Sequence, residues 1–306
     1  SVPTQQVAVT TTDDDLAGFT VTESGGSTSV TESGGSDSFT VGLDAQPASN
    51  VVFDVTSGDT GEATGSPTQL TFTSANWSAA VAELIVALDL PDAPSAVALL
   101  DQLPEGAPVK IGSVLMTAAG SGFVRALVDA GHPVFLDLKW HDIPNTVACA
   151  VRAARDLGVE MATVHAMGGP AMLEAAVVAA DGAVQLVAVT VLTSHGPEEL
   201  GAILGRDGAA SGAEVTRLAE LAIRAGVAGV VCSPREIALV RPVVGGGRIV
   251  VPGIRREGDA TGDQVRVAGP AEAAAAGATH LVVGRPITEA TDPAAAYRAF
   301  REAAGA

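Results

Sequence analysis

The 306-residue sequence predicts an α/β fold of the (β/α)8 TIM-barrel type, preceded by an all-β, sandwich-like segment. Three observations carry this reading. From residue 84 onward, eight short runs rich in Val, Ile and Leu alternate with Ala-rich stretches of helical period. Strands that are apolar on both faces and separated by helices require a parallel sheet covered on both sides, and eight such units in about 220 residues have the size of a closed barrel. Before residue 81 the texture is Thr, Ser, Gly, Asp and Val in short alternating runs bounded by turn clusters, the pattern of antiparallel β-structure. Finally, polar and charged residues recur at the C-terminal ends of the apolar runs, where barrels of this class build their reactive face. The division falls at 1–80 and 81–306. A doubly wound open sheet is the alternative fold, weakened by the lack of a GxGxxG sequence after the first apolar run.

In the first part, the alternating runs are FTVTE (19–23), SFTVGL (38–43), NVVFDVTS (50–57) and QLTFT (69–73). The heptapeptide VTESGGS occurs at 21–27 and again at 30–36, a duplication open to two readings, a slipped hairpin register or a functional repeat. TTTDDD (10–15), VTESGGSDSFTVGLD, SGDTGEAT and LTFTSANW together resemble a Calx-β-like repeat of acidic surface proteins. After Trp77 the chain turns into SAAVAE, so a closing strand is expected to be missing and an edge exposed. Asp13, Asp14 and Asp15 read as a solvated acidic linker rather than a calcium site, since EF-type loop spacing is absent.

In the second part, the strands are expected at 84–90, 107–112, 133–139, 161–166, 186–192, 227–233, 248–253 and 280–284. Helices are expected at 93–102, 114–130, 144–157, 170–180, 213–225, 234–241, 269–277 and 288–303.

Charge narrows the partners. The net charge is −18, and residues 1–80 hold ten acids and no Lys or Arg. Such a surface repels phosphate polymers, so neither nucleic acid nor an anionic membrane is an expected partner, whereas a local basic pocket for one small phosphate is compatible with it. Cys149 and Cys232 stand amid apolar residues and read as inert core thiols of a reducing compartment. Neither a membrane span nor a signal peptide is predicted, and Ser1 in place of an initiator Met is compatible with a portion of a longer chain.

The strand ends carry the chemistry. In order they offer Asp89, Lys110, the pair Asp137 and Lys139, His165, Thr193 with Ser194, then Pro252-Gly253-Ile254-Arg255, and Gly284-Arg285. Asp137 and Lys139 are two apart, so on an extended strand both leave from one face, and Asp142 lies past the strand end. Asp89 has a second reading as a helix cap near Pro91, and His165 one as a satisfied core histidine. Lys110 on a buried strand needs anionic partners such as Asp89 or Asp137. Arg255 and Arg285 with neighbouring glycines, and Gln264 in the loop between, suit a phosphate on a small ligand.

Asp137, Lys139, Asp142, Ile143 and Thr146 form DxKxxDIxxT, and PGIR (252–255), GDQ (262–264) and VGRPIT (283–288) follow in order. On these segments residues 84–306 resemble the orotidine 5′-phosphate decarboxylase family. The resemblance implies a cofactor-free, metal-free decarboxylation by an alternating array of Lys110, Asp137, Lys139 and Asp142, in a homodimer with shared sites, and a cytoplasmic place for the barrel, whereas the first segment resembles repeats of surface proteins. It implies that Asp142 and Thr146 come from the neighbouring subunit, and that Asp89 and Lys110 hold ribose hydroxyls. Thr193 or Ser194 would meet the pyrimidine edge and Gln264 and Arg285 the phosphate, with His165, Pro252, Arg255 and Gly284 as lesser members of the substrate site. Trp140 and His141 are read as occupants of variable positions. Two other readings stay open: a magnesium-dependent sugar-phosphate decarboxylase or aldolase on a related barrel, and a surface adhesin whose barrel is passive.

Overall fold

The structure is a computed structural model that describes residues 19–23, 39–43, 49–55, 69–72, 82–206, 211–256, 259 and 267–305. The chain separates into two compact units, Ser1–Ala80 and Val81–Ala306.

In the first unit, β1 (Phe19–Glu23) pairs antiparallel with β2 (Phe39–Leu43), and β3 (Val51–Asp54) with β4 (Gln69–Phe72). Alternation along β3 buries Val51 and Phe53, and the Phe53 ring lies 5.2 Å from Phe19 and 5.5 Å from Phe72. Edge and tilted ring contacts of this kind add to the burial of a small core. Among the described residues of this unit, the four alternating runs thus contain the four strands. Asp13 to Asp15, most of the duplicated heptapeptide and the stretch 73–81 lie outside the described residues.

The second unit is a closed barrel of eight parallel strands in sequence order. These are β5 (Glu83–Ala87), β6 (Val109–Gly112), β7 (Val134–Trp140), β8 (Met161–His165), β9 (Gln185–Val189), β10 (Gly229–Val231), β11 (Arg248–Pro252) and β12 (His280–Val283). The seam closes where His280, Leu281, Val282 and Val283 of β12 pair with Glu83, Leu84, Ile85 and Val86 of β5. Helices α1 (Ala93–Leu100), α2 (Ser113–Asp129), α3 (Pro144–Leu157), α4 (Gly169–Ala180), α5 (Pro197–Leu204), α6 (Ser211–Arg224), α7 (Ile237–Val244), α8 (Pro270–Ala275), α9 (Arg285–Thr288) and α10 (Pro293–Ala303) intervene.

The period of two along each strand sorts the apolar residues into two cores. Leu84, Val86, Val109, Leu136, Ile249 and Val251 face the helices, while Ile85, Ala87, Phe135, Met161, Val187, Val250 and Val282 fill the barrel interior. At the N-terminal end, first residues of four strands close the interior with polar contacts. Glu83 meets His280 at 3.4 Å, and Arg248 donates to Gln185 at 3.0 Å.

Three details differ from the sequence expectation. Helix α5 was not anticipated, lying in the connection after β9. The helix expected at 288–303 begins later, at Pro293, because Asp292 accepts from the Ala295 N–H and Pro293 takes the first helical position, while residues 285–288 form the separate short helix α9. Cys149 is exposed, unlike the buried Cys232. Helix α3 buries Val147, Ala148, Val151 and Ala154, and position 149 falls off that stripe.

Candidate active site

The interior-facing alternation continues past the apolar layer and decides which polar residues meet. Ala87 points inward, so Asp89, two residues on, does too; Phe135 leads in the same way to Asp137, and Met161 to Thr163 and then His165. Lys110 lies between the outward Val109 and Ile111 and therefore also points inward. The result is a chain of charges at the barrel's C-terminal end. Lys110 Nζ lies 2.9 Å from Asp89 Oδ1 and 3.5 Å from Asp137 Oδ2, and Lys139 Nζ lies 2.8 Å from both Asp137 oxygens. Asp89 does not cap α1. That helix is capped by Asp92, which accepts from the Ser95 N–H, leaving Asp89 to pair with Lys110.

Lys110 is 7% exposed, so its ammonium is stable only with the two carboxylates beside it. Burial opposes ionisation of Asp137 most strongly, yet the two ammonium groups and hydrogen bonds from Lys139 and Thr163 outweigh it, holding the carboxyl below the usual range. A buried carboxylate is thereby kept charged at neutral pH between two cations.

Lys139 reaches this position by an unexpected route. An extended strand would suffice to bring residues 137 and 139 to one face, but β7 is irregular here. Its register against β8 shifts between Leu136 and Trp140, and Lys139 has φ 52°. A non-glycine residue in the left-handed region is strained, and such outliers are sustained by their surroundings. Thr163 supplies the support. Its Oγ1 accepts from the Lys139 N–H at 2.7 Å and donates to Asp137 Oδ1 at 3.0 Å. Thr163 is fully buried and was missed in the sequence; its inward position two residues after Met161 is the signal that points to it.

The other expected residues divide. His165 lies at the end of β8, its Nδ1 accepting from the Met167 N–H and its ring stacked on His141 with centroids 5.3 Å apart. Burial first, then the charges of His141, Lys139 and His195, lower its pKa to about 4. Thr193 and Ser194 stand in the turn after β9. Pro252 ends β11, and Gly253 follows with φ 79°, a conformation that favours glycine and turns the chain into Ile254 and Arg255. Arg255 is buried and donates to the Ile254 carbonyl, while its N–H donates to Ala268 O, so the long connection is pinched at its base. Gly284 precedes α9, and Arg285 at its start is exposed. Gln264 lies outside the described residues.

Asp142 and Thr146 are not brought to the other three charges. The run His141 to Thr146 is exposed, and Asp142 Oδ1 accepts from the neighbouring Ile143 N–H at 2.6 Å. Ile143 itself is 67% exposed. Among the described residues no three His, Cys, Asp or Glu side chains gather into a metal-binding group.

The family described as orotidine 5′-phosphate decarboxylase / HUMPS matches residues 82–300. The chain belongs to the orotidine 5′-phosphate decarboxylase / HUMPS family. A member from Halorhodospira halophila, named orotidine 5′-phosphate decarboxylase, is 55% identical over 222 residues, covering 71% of this chain and 93% of that protein. One of the same name from Alkalilimnicola ehrlichii is 56% identical over 218 residues, covering 70% and 92%. The crystal structure of orotidine 5′-phosphate decarboxylase from Lactobacillus acidophilus superposes with TM-score 0.66 at 36% identity, covering 74% of this chain and all of that one. The family match begins at the barrel and leaves out the first unit, so the Calx-β-like resemblance gains no support from it.

Proposed function

We propose that the chain converts orotidine 5′-monophosphate to uridine 5′-monophosphate and CO2, a step of pyrimidine biosynthesis, with the barrel unit supplying all the chemistry. The observation that carries the mechanism is the Asp137 carboxylate, largely buried, ionised and flanked by Lys110 and Lys139 at the strand ends. The substrate carboxylate seated beside Asp137 meets like charge in the ground state, a repulsion relieved as neutral CO2 departs. The C6–carboxyl bond breaks and its electron pair stays on C6, in an orbital the ring does not delocalise. The Lys139 ammonium stabilises that pair and then transfers a proton to C6. The scheme calls for no metal or organic cofactor.

In this reading Asp89 and Lys110 hold the ribose hydroxyls, and Thr193 or Ser194 meets the pyrimidine edge. Gln264 and Arg285 hold the phosphate, with Pro252, Arg255 and Gly284 shaping that end. Binding the phosphate far from C6 supplies energy for organising the reacting end. The active species is a homodimer in which Asp142 and Thr146 complete the partner's array. The outward exposure of residues 141–146, Ile143 included, supports a surface that another subunit covers. Among the described residues no helix is long and apolar enough to cross a membrane, and we place the barrel's activity in the cytoplasm.

The relatives at 55–56% identity support this reading over a magnesium-dependent sugar-phosphate enzyme or a passive barrel. The test is ultraviolet loss of orotidine monophosphate on adding the protein, with and without EDTA, beside Lys139→Ala. Turnover that resists EDTA and falls by several orders of magnitude in Lys139→Ala while a substrate analogue still binds is expected. Near-full kcat in that variant refutes the role given to Lys139.

A further inference from the structure

The connection between β7 and α3 must do two things at once under the reading above. It has to present Lys139 to its own site and Asp142 outward to the partner's. Its backbone is not held by regular pairing, because the β7 register breaks after Leu136 and Lys139 takes φ 52°. Strand β8 meets it at two successive inward positions. Thr163 takes the Lys139 N–H, and two residues further His165 lays its ring on His141, itself two residues beyond Lys139. The planes are 22° apart with centroids at 5.3 Å, a stacked arrangement.

The His165 ring is itself fixed. Its Nδ1 accepts from the Met167 N–H at 3.3 Å, where the three-residue turn Ala166–Gly168 begins, so the imidazole cannot rotate without losing that bond. His141, by contrast, is exposed at the end of an irregular strand and gains order from the surface it rests on. We propose that His141 and His165 form a stacked clamp that holds the 139–142 turn, making both positioning residues that act through Lys139 and Asp142 rather than ligands of the nucleotide. The inference deepens the decarboxylase reading and rests on it. Two cationic rings would repel at this distance, and the lowered pKa of His165 keeps its ring neutral in ordinary buffers.

The clamp explains why an aromatic ring is useful at position 141, between the two charged residues. Removing it frees both neighbours, and misplacement of a catalytic group by about 1 Å lowers turnover by roughly 100-fold. The experiment compares His141→Ala and His141→Phe with the wild-type chain by steady-state decarboxylation and by hydrogen exchange at the Lys139 amide. Because His141 is exposed, neither substitution disturbs the core. His141→Ala is expected to lower kcat by about 10–100-fold with KM within about threefold, and to speed exchange of the Lys139 amide. His141→Phe, which keeps a flat ring, is expected to restore both. Wild-type kcat in His141→Ala, a phenylalanine variant as damaged as the alanine one, or a raised KM with intact kcat would each overturn the clamp. Hydrogen exchange needs no turnover, so an inactive wild-type chain would refute the decarboxylase reading while leaving the clamp open to test.

Discussion

Replacing Thr163 with valine removes one hydroxyl from a fully buried position and leaves the shape of the side chain unchanged. Two contacts are lost. The Lys139 N–H loses its acceptor at 2.7 Å, and Asp137 loses a donor at 3.0 Å. A buried donor left unpaired costs about 1–3 kcal/mol, and a hydrogen bond to a charged group contributes about 1.5–3 kcal/mol. The two share one oxygen and are not additive, so the expected loss of stability is about 2–4 kcal/mol. Function should suffer as well. Lys139 at φ 52° carries backbone strain of about 1–2 kcal/mol, and without Thr163 it relaxes toward the right-handed region and swings its ammonium off Asp137. A kcat lower by about 10–100-fold is expected. Urea unfolding and ultraviolet decarboxylation of Thr163→Val and Thr163→Ser provide the assay. The serine variant keeps both bonds and should stay close to wild type. A valine variant within about 0.5 kcal/mol of wild type and with undiminished kcat would show that the hydroxyl does not hold this corner.

If the sites are shared, Asp142→Ala and Lys139→Ala homodimers should each be nearly inactive, while mixing them under demonstrated subunit exchange should recover up to about a quarter of wild-type activity. Activity that stays at the level of the parents would mean that Asp142 serves its own subunit. If Arg285 holds the phosphate, Arg285→Ala should reduce kcat/KM for the nucleotide far more than for the phosphate-free nucleoside, which lacks the group that contact needs; equal losses would move the phosphate grip elsewhere. Acid stability should report on His165. Its pKa falls from 6.5 to about 4 on folding, so its neutral form contributes fully above 6.5 and the contribution is lost as pH falls toward 4. From pH 7.5 to pH 5 the wild-type chain should therefore lose about 1 kcal/mol more stability than His165→Phe, a figure discounted for partial exposure. Identical acid losses in the two proteins would contradict a buried neutral imidazole.

Much of this protein was readable from local pattern. Eight doubly apolar runs at regular spacing have few folds available to them, and the strands lie where those runs predict, because a parallel strand covered on both faces must be apolar throughout. The inward direction of Asp89, Lys110 and Asp137 likewise follows from period two counted from apolar neighbours. Helix α5, the later start of α10 at Pro293 and the exposure of Cys149 were harder to read. The first two depend on short capped segments with little periodicity, and the last on which stripe of α3 packs inward. Tertiary structure alone decided how Lys139 meets Asp137. The sequence places the pair two residues apart and predicts a shared face on a regular strand, but the left-handed lysine and the shifted register exist because Thr163, on the adjacent strand, offers an oxygen to the Lys139 N–H. The same holds for His141, which looks like a variable position until His165, 24 residues away in sequence, is seen lying against its ring. Contacts between neighbouring strands depend on register and twist, which a single strand's pattern does not contain.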